Sequence, residues 1–187
     1  MSKIFFTSDH HFGHANIIRF CNRPFTDVEE MNEELIRRWN ERIGPDDEVY
    51  HLGDFAMSRG EAFDRIASRL NGTKYLIVGN HEASALNNRK WFKWIKEYYE
   101  LKVQDPERPA GVQRIILFHY AMRVWRGDFR GTWHLYGHSH NNLPEKPDSL
   151  SFDIGVDAND FFPLSYEDVK ARMLRKDWKP PFALREE

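Results

Sequence analysis

The sequence predicts an α/β protein built around two β-sheets. In the first half, short β-branched and aromatic runs alternate with segments of helical periodicity. Strands that alternate with helices favour a parallel sheet with crossover helices. After about residue 100 the chain consists of further short strand-like runs, separated by turns that carry proline, glycine and asparagine. These later runs predict a second sheet.

In the first half, each predicted strand is followed by at least one predicted helix. The strands cover residues 4–7, 48–52 and 74–78. The helices are expected over residues 16–20, 26–42, 60–70 and 87–99. The helix over 26–42 is expected to start at a capping box formed by Thr26 and Glu29, and Gly44-Pro45 ends it. The segment over 87–99 is rich in tryptophan and tyrosine, and we expect it to pack as a core helix.

The second half is expected to end in a helix. The strand-like runs cover residues 101–104, 113–118, 132–136 and 151–154. Ser165 and Asp168 predict a capped helix that continues to about Arg175. Order is expected to end at Pro180-Pro181, with Glu186-Glu187 as a frayed tail.

Length and composition indicate one soluble cytoplasmic domain over residues 1–187. The chain has 41% hydrophobic residues and a formal net charge of −2, so it lacks the large basic excess of a protein that coats nucleic acid. Its single cysteine, Cys21, excludes an internal disulfide and is expected to be a packing residue. The sequence contains neither a signal-peptide pattern nor an apolar run long enough for a membrane span, so no membrane partner is expected.

Polar blocks rich in histidine follow the predicted strands. Neutral imidazole is the commonest metal ligand in proteins, and ligands bind at the carboxyl ends of strands in α/β sheets. Each block alone is weak evidence, but five blocks in order are specific. They are Asp9-His10-His11, Gly53-Asp54, Gly79-Asn80-His81-Glu82, Phe118-His119 and Gly137-His138-Ser139-His140.

This ordered set resembles the signature of the calcineurin-like metallophosphoesterase superfamily, which reads Asp-x-His, Gly-Asp, Gly-Asn-His-Asp/Glu, His, Gly-His-x-His. The resemblance spans residues 4–157. Residues 9–23 and the Gly155-Val156-Asp157 tripeptide resemble the short, cap-less bacterial and phage-type branch. The resemblance implies the metallo-dependent phosphatase fold, a four-layer α/β/β/α sandwich of two mixed β-sheets.

The resemblance also implies a pair of divalent metal ions. Asp54 would bridge the ions, and His81 would stand beside them as the general acid. Glu82 replaces the commoner aspartate that orients this histidine, which puts its role in question. One ion would be held by Asp9, His11, Asp54 and His140, and the other by Asp54, Asn80, His119 and His138.

The implied ligands are consistent with metal-dependent hydrolysis of phosphodiesters or phosphomonoesters. Mixed oxygen and imidazole ligands suit manganese, our first expectation, or iron, zinc, nickel or cobalt, better than magnesium or calcium. A hydroxide bridging the two ions would attack phosphorus, and His81 would protonate the leaving oxygen. The expected substrate is small or nucleotide-like.

Four further positions are expected to contact substrate. Asn80 and His14 are predicted at the strand ends, and Arg123 and Arg126 lie in a loop with three arginines and two aromatic residues, for which a solvated loop is the alternative. His10 is expected either beside the ligands or at the surface, and His51 and His134 are expected to be structural.

Two other functions stay open on the sequence. A non-catalytic scaffold of the same fold would lack ligands or the acid, and none is missing here. A sequence-independent nuclease would need a long basic groove, for which residues 123–130 are the candidate.

Overall fold

The computed structural model describes residues 2–180 and contains two β-sheets whose inner faces pack together. The predicted tail at Glu186-Glu187 lies outside the described residues. The strands are β1 (Ile4–Thr7), β2 (Glu48–His51), β3 (Thr73–Ile77), β4 (Trp94–Lys96), β5 (Tyr98–Gln104), β6 (Val112–Phe118), β7 (Trp133–Tyr136), β8 (Ser151–Asp153) and β9 (Leu164–Ser165). The helices are α1 (Ala15–Phe20), α2 (Val28–Arg42), α3 (Glu61–Ala67), α4 (Ala83–Leu86) and α5 (Tyr166–Leu174).

Both sheets are mixed, as predicted. The first has the order β4-β3-β2-β1-β9, with β1 to β4 parallel and β9 antiparallel at one edge. The second has the order β5-β6-β7-β8, with β5 antiparallel to β6 and the other pairs parallel. Helical segments connect the parallel strands of the first sheet, which confirms the predicted crossovers. The carboxyl ends of β1, β2 and β3 therefore meet at one edge.

Two apolar clusters hold the layers together. One lies between the first sheet and the helices on its outer face, where Phe5 and Leu76 pack with Leu35 and Trp39 of α2. The other fills the space between the sheets and includes Val169 and Met173 of α5. Because α2 places its apolar residues on one face, burying that face attaches the helix to the sheet.

Residues 120–132 lie over the outer face of the second sheet. His134 of β7 points outward, since its neighbours Trp133 and Leu135 face the inter-sheet cluster. Its Nε2 accepts the backbone N–H of Met122 at 3.1 Å, and the Trp125 ring lies 5.3 Å away. His134 is thus buried and bonded to protein, in agreement with a structural role.

Of the two predicted helix caps, one is present and the other is shifted by one residue. The box of Ser165 and Asp168 is present at α5. At α2 the predicted cap was one residue too early, because Asp27 is the N-cap and accepts the backbone N–H of Glu30 at 2.8 Å. Thr26 instead donates its hydroxyl to the Glu30 carboxylate at 2.6 Å. None of the helices in residues 2–180 has the length and apolar character that a bilayer span requires.

The predicted helix over 87–99 is wrong. This segment forms a short 3-10 turn at Arg89–Trp91, then β4, then β5, so the chain crosses between the sheets at Glu97. Trp94 and Tyr99 have ring centroids 4.7 Å apart and pack on the inter-sheet cluster. Aromatic residues favour strands, and here burial on both sheets outweighs the helix-like spacing of the rings.

Candidate metal centre

The predicted ligands lie in loops that directly follow the strands. They form two groups, each with ligand atoms within 4.8 Å of one another. Both groups lie where the carboxyl ends of strands from the two sheets meet. The first group contains Asp9, His11 and His140, and the second contains Asp54, His119 and His138.

Asp54 connects the two groups. Its Oδ2 lies 3.5 Å from Nε2 of His11 and 3.7 Å from Nε2 of His119. Its Oδ1 accepts the backbone N–H of His81 at 2.8 Å, which fixes the orientation of the carboxylate. An oxygen between two imidazoles is suited to a ligand shared by two cations.

The hydrogen bonds of His119 leave a lone pair pointing into the second group. Its Nδ1 lies 2.6 Å from the carbonyl oxygen of Leu52, which only accepts, so Nδ1 carries the proton. Burial lowers the pKa of His119, which favours the neutral ring. The bare Nε2 faces Oδ1 of Asn80 at 3.0 Å and Oδ2 of Asp54. Three electron-pair donors with no proton between them fit a cation.

The first group has the same character. Both ring nitrogens of His11 are buried and have no hydrogen-bond partner among residues 2–180. Burial lowers the pKa of His11 to about 2, so the ring is neutral. Burial also raises the pKa of Asp9 well above its usual value. A divalent cation would supply the partner that the imidazole lacks and the charge that stabilises the carboxylate.

Most of the predicted ligands have left-handed backbone conformations. Such conformations cost non-glycine residues of order 1–3 kcal/mol each and cluster at functional sites. The neighbouring Gly137 is required for a close approach, because a Cβ there would collide with Oγ of Ser8 and Oδ2 of Asp9. The φ angles are 60° at Asp9, 53° at His11, 57° at Asp54, 67° at His138 and 45° at His140.

A buried ion pair holds His140 and the Asp9 loop in place. Nδ1 of His140 forms a hydrogen bond with Oδ2 of Asp157 at 2.7 Å. The Asp157 carboxylate also accepts hydrogen bonds from Nε and Nη2 of Arg23, each at 2.8 Å. Arg23 also donates to the backbone oxygens of Asp9 and His10, at 2.7 and 2.8 Å. Burial lowers the pKa of His140, but the hydrogen bond to Asp157 and the negative charges of Asp9 and Asp157 together raise it above its usual value. A carboxylate behind a ligating imidazole fixes the ring and its tautomer.

Sequence reasoning missed this pair. Arg23 and Asp157 both lie in stretches that resemble the phage-type branch, but they are 134 positions apart. Only the fold reveals that one guanidinium connects the loop after β1 with the segment after β8.

Glu82 supports the backbone of the site and makes no hydrogen bond to His81. Its Oε2 accepts the N–H groups of Asp54 at 2.7 Å and Gly79 at 2.9 Å, and its Oε1 accepts the N–H of Phe55 at 3.1 Å. Burial raises the pKa of Glu82 to about 7, although these three hydrogen bonds act to lower it. Glu82 therefore joins the ends of β2 and β3 and holds Asp54 in place.

We expect Glu82→Gln to destabilise the metal-free protein by about 1–3 kcal/mol. The NH₂ group of glutamine cannot accept a hydrogen bond, so at least one of these backbone N–H groups would lose its acceptor. The NH₂ group would also place a second donor next to that N–H. Urea unfolding in EDTA measures the loss, with Glu61→Gln on the exposed surface of α3 as the control. Unchanged stability would show that the three hydrogen bonds contribute nothing.

The remaining predicted residues differ in their placement. Asn80, His81 and His138 are exposed at the mouth of the site, and the half-buried His14 has its ring 5.4 Å from that of His11. Arg126 pairs with Glu100 in the exposed outer region of the second sheet. In the described part of the chain, neither Arg126 nor the exposed Arg123 contacts a predicted ligand.

His10 and His51 form a buried pair behind the site. Nδ1 of His10 lies 3.0 Å from Nε2 of His51, and both rings pack against Trp39. Both residues are fully buried, which rules out the surface position considered for His10 and agrees with the core position expected for His51.

Comparison with known proteins supports this architecture. The calcineurin-like phosphoesterase family matches residues 2–152. An uncharacterised protein of Methanocaldococcus jannaschii is 34% identical over 183 residues, covering 94% of this chain and 93% of its own. The Gene 66 protein of Mycobacterium phage L5 is 37% identical over 184 residues, covering 84% of this chain and 88% of its own.

A solved structure shares the fold. The crystal structure of AQ665 from Aquifex aeolicus, a protein of unknown function, has a TM-score of 0.67 at 22% identity, covering 91% of this chain and 99% of that one. The family match, which covers most of the chain, agrees with the site geometry and with the short phage-type relative. This chain belongs to the calcineurin-like phosphoesterase family.

Proposed function

We propose that this protein is a dinuclear-metal-dependent phosphoesterase that hydrolyses phosphodiester or phosphomonoester bonds of small or nucleotide-like substrates. The observation that carries the proposal is the convergence of two imidazole nitrogens, Nε2 of His11 and Nε2 of His119, on one carboxylate oxygen, Oδ2 of Asp54. Membership of the family supports metal-dependent phosphoester hydrolysis as the reaction class.

The chain has the side chains that two ions need. Carboxylate, amide and imidazole ligands favour manganese, our first choice, or iron, cobalt, nickel or zinc. Bound there, the ions would neutralise phosphoryl oxygens and lower the pKa of the attacking water. Asp9, His11, Asp54 and His140 would hold one ion, and Asp54, Asn80, His119 and His138 the other.

His81 would act as the general acid. Its backbone N–H is fixed by Asp54, its side chain is exposed at the mouth, and its ring centroid lies 5.7 Å from that of His11. From that position a protonated imidazole would donate its proton to the leaving alkoxide oxygen. His14, whose ring centroid lies 5.4 Å from that of His11, would contact the phosphoryl group of the substrate, as would Asn80.

The exposure of the side chains at the mouth of the site favours one class of substrate. Asn80, His81 and His138 are exposed, while the predicted ligands Asp9, His11, Asp54 and His119 are buried. An open mouth allows groups on both sides of a phosphodiester to extend into solvent. It favours phosphodiesters over a small metabolite that needs enclosure on all sides.

Removal of metal is expected to abolish hydrolysis. After EDTA treatment and desalting, turnover of p-nitrophenyl phosphate and of bis-p-nitrophenyl phosphate should fall to background, and Mn²⁺ should restore it. Metal content per chain is measured in parallel. Two bound ions without turnover of any ester would instead support a non-catalytic scaffold.

Arg23→Lys and Asp157→Asn are each expected to weaken Mn²⁺ binding by about 10–100-fold, because His140 and the Asp9 loop lose their support. Calorimetric titration of the metal-free protein measures the affinity. The matched control is Arg37→Lys, which changes an arginine that pairs with Glu34 and Glu41 on the exposed surface of α2. Equal affinities in all variants would contradict the positioning role.

A further inference from the structure

Two buried histidines, His10 and His51, lie in an apolar part of the protein. The ring centroid of His10 is 5.0 Å from that of Phe12 and 5.2 Å from that of Trp39. The ring centroid of His51 is 5.0 Å from that of Phe55. All three of these aromatic residues belong to the cluster between the first sheet and its helices. An apolar side chain could pack in either position without the cost of burying ring nitrogens.

One hydrogen bond joins the two rings. Nδ1 of His10 lies 3.0 Å from Nε2 of His51, so one nitrogen donates and the other accepts. The remaining nitrogens, Nε2 of His10 and Nδ1 of His51, are buried and have no hydrogen-bond partner among residues 2–180. One hydrogen bond does not offset the desolvation of two unpaired polar atoms, so stability does not explain the pair. Local departures of this kind from packing rules are typical of functional sites.

His10 lies between two predicted ligands, Asp9 and His11, in the loop after β1. The N–H of Asp9 donates to the carbonyl oxygen of Gly53 at 3.0 Å. The N–H of His11 donates to the carbonyl oxygen of Asp54, also at 3.0 Å. Both ligands have left-handed backbone conformations, which persist only where their surroundings hold them. The ring of His10, packed in the apolar cluster between these two positions, anchors the loop in the core.

His51 is the last residue of β2 and precedes residues that build the second ligand group. The carbonyl oxygen of the next residue, Leu52, accepts the Nδ1–H of His119 at 2.6 Å. Asp54 follows two residues later, and its Oδ2 lies 3.7 Å from Nε2 of His119. The position of this strand end therefore determines where ligands of the second group lie. The hydrogen bond from His10 to His51 joins that strand end to the loop that carries ligands of the first group.

We propose that His10 and His51 are positioning residues of the metal centre, whose hydrogen bond fixes the loop after β1 relative to the end of β2 and so sets the separation of the two ligand groups. Neither histidine belongs to either group, so each acts through its neighbours in the chain. The inference rests on the proposed function, because it requires that the two groups bind ions. It adds that the affinity for these ions depends on a contact in the core behind the ligands.

The test replaces each ring with a side chain that either removes or retains its bonding atom. His10→Leu and His51→Leu should each weaken Mn²⁺ binding by about 10–100-fold, measured by calorimetric titration of the EDTA-treated, desalted protein. His10→Asn should retain most of the affinity, because the asparagine amide lies at the position of Nδ1. His51→Gln should do the same, because the glutamine amide lies at the position of Nε2. The crossed variants, His10→Gln and His51→Asn, place the amide at the other position and should restore less.

The double variant His10→Leu with His51→Leu separates positioning from stability. It leaves no imidazole nitrogen unpaired in this cluster, so urea unfolding in EDTA should show it to be at least as stable as either single leucine variant. Its Mn²⁺ affinity should stay as low as theirs. The matched control is Tyr166→Phe, which removes a buried hydrogen bond of 2.7 Å to Asp105. Asp105 follows β5 at the end of the second sheet opposite to His119, so this variant should lose stability without losing Mn²⁺ affinity.

Three results would overturn the proposal alone. They are a return of Mn²⁺ affinity in the double variant, equal affinities in the unmodified protein and the leucine variants, and an equal loss of affinity in Tyr166→Phe. Matched amide variants that bind no better than the leucine variants would show that the hydrogen bond is not the cause, which also overturns it. Absence of Mn²⁺ binding by the unmodified protein would contradict the proposed function as well, so the two failures are distinguishable.

Discussion

Asp54→Asn is expected to release both metal ions and to lower turnover by more than about 100-fold. The substitution keeps the size of the side chain but removes the charge of the oxygen that lies between His11 and His119, at 3.5 and 3.7 Å. Because this oxygen would be a ligand of both ions, neither ion should keep its affinity. Metal content after gel filtration, together with Mn²⁺ titration, measures the effect.

Asp46→Asn is the matched control for this prediction, since Asp46 is exposed in the turn before β2. It should bind two ions and hydrolyse esters as the unmodified protein does. If Asp54→Asn keeps one ion at unchanged affinity, the two groups do not share a ligand and the dinuclear proposal fails.

His81→Ala is expected to retain both ions and to lose turnover by about 10²–10⁴-fold on esters with poor leaving groups. Such alkoxides need a proton as the P–O bond breaks, whereas p-nitrophenolate leaves without one. The loss should therefore shrink as the pKa of the leaving group falls. A series of phosphodiesters with graded leaving groups measures this dependence.

The metal content of His81→Ala shows whether His81 acts as a general acid or as a metal ligand. Loss of both ions would show that His81 supports binding, in which case the assigned role is wrong. An equal loss on every substrate would also contradict it, because a general acid contributes most when the leaving group is most basic.

The sequence was sufficient to predict the three central strands of the first sheet, β1, β2 and β3, and the edge at which the polar side chains that follow them meet. Strands and helices alternate there with local signals, and the polar blocks follow strands directly. Because parallel strands end at a shared edge, sequence order alone brought Asp9, Asp54 and Asn80 to one place. The ligand groups in the structure are built from those predicted blocks.

The local sequence pattern predicted the wrong secondary structure for residues 87–99, where long-range packing determines the conformation. Trp91, Trp94 and Tyr98 have spacings that resemble one face of a helix, yet their segment forms two strands at the junction of the sheets. The 3.6-residue period and aromatic strand propensity conflict over so short a range, and contacts with Tyr75 and Tyr50 decide the outcome.

Supporting contacts were also invisible in the sequence. The bond between Arg23 and Asp157 and the position of Glu82 behind Asp54 depend on how distant segments meet. A cleft on the outer face of the second sheet likewise combines residues 126–132 with cations from β5 and β6. A linear reading of the chain gives no register for the two strands, so it could not place Lys102 opposite Arg114.

The left-handed conformations at the predicted ligands are supported by contacts among protein residues, so binding of ions would require little rearrangement of the chain. Five predicted ligands lie in strained turns, and the two apolar clusters together with the hydrogen bonds of Glu82 and Arg23 support those turns. Ion uptake should accordingly proceed with little change in circular dichroism. It should also be fast, since no segment has to fold around the arriving cation.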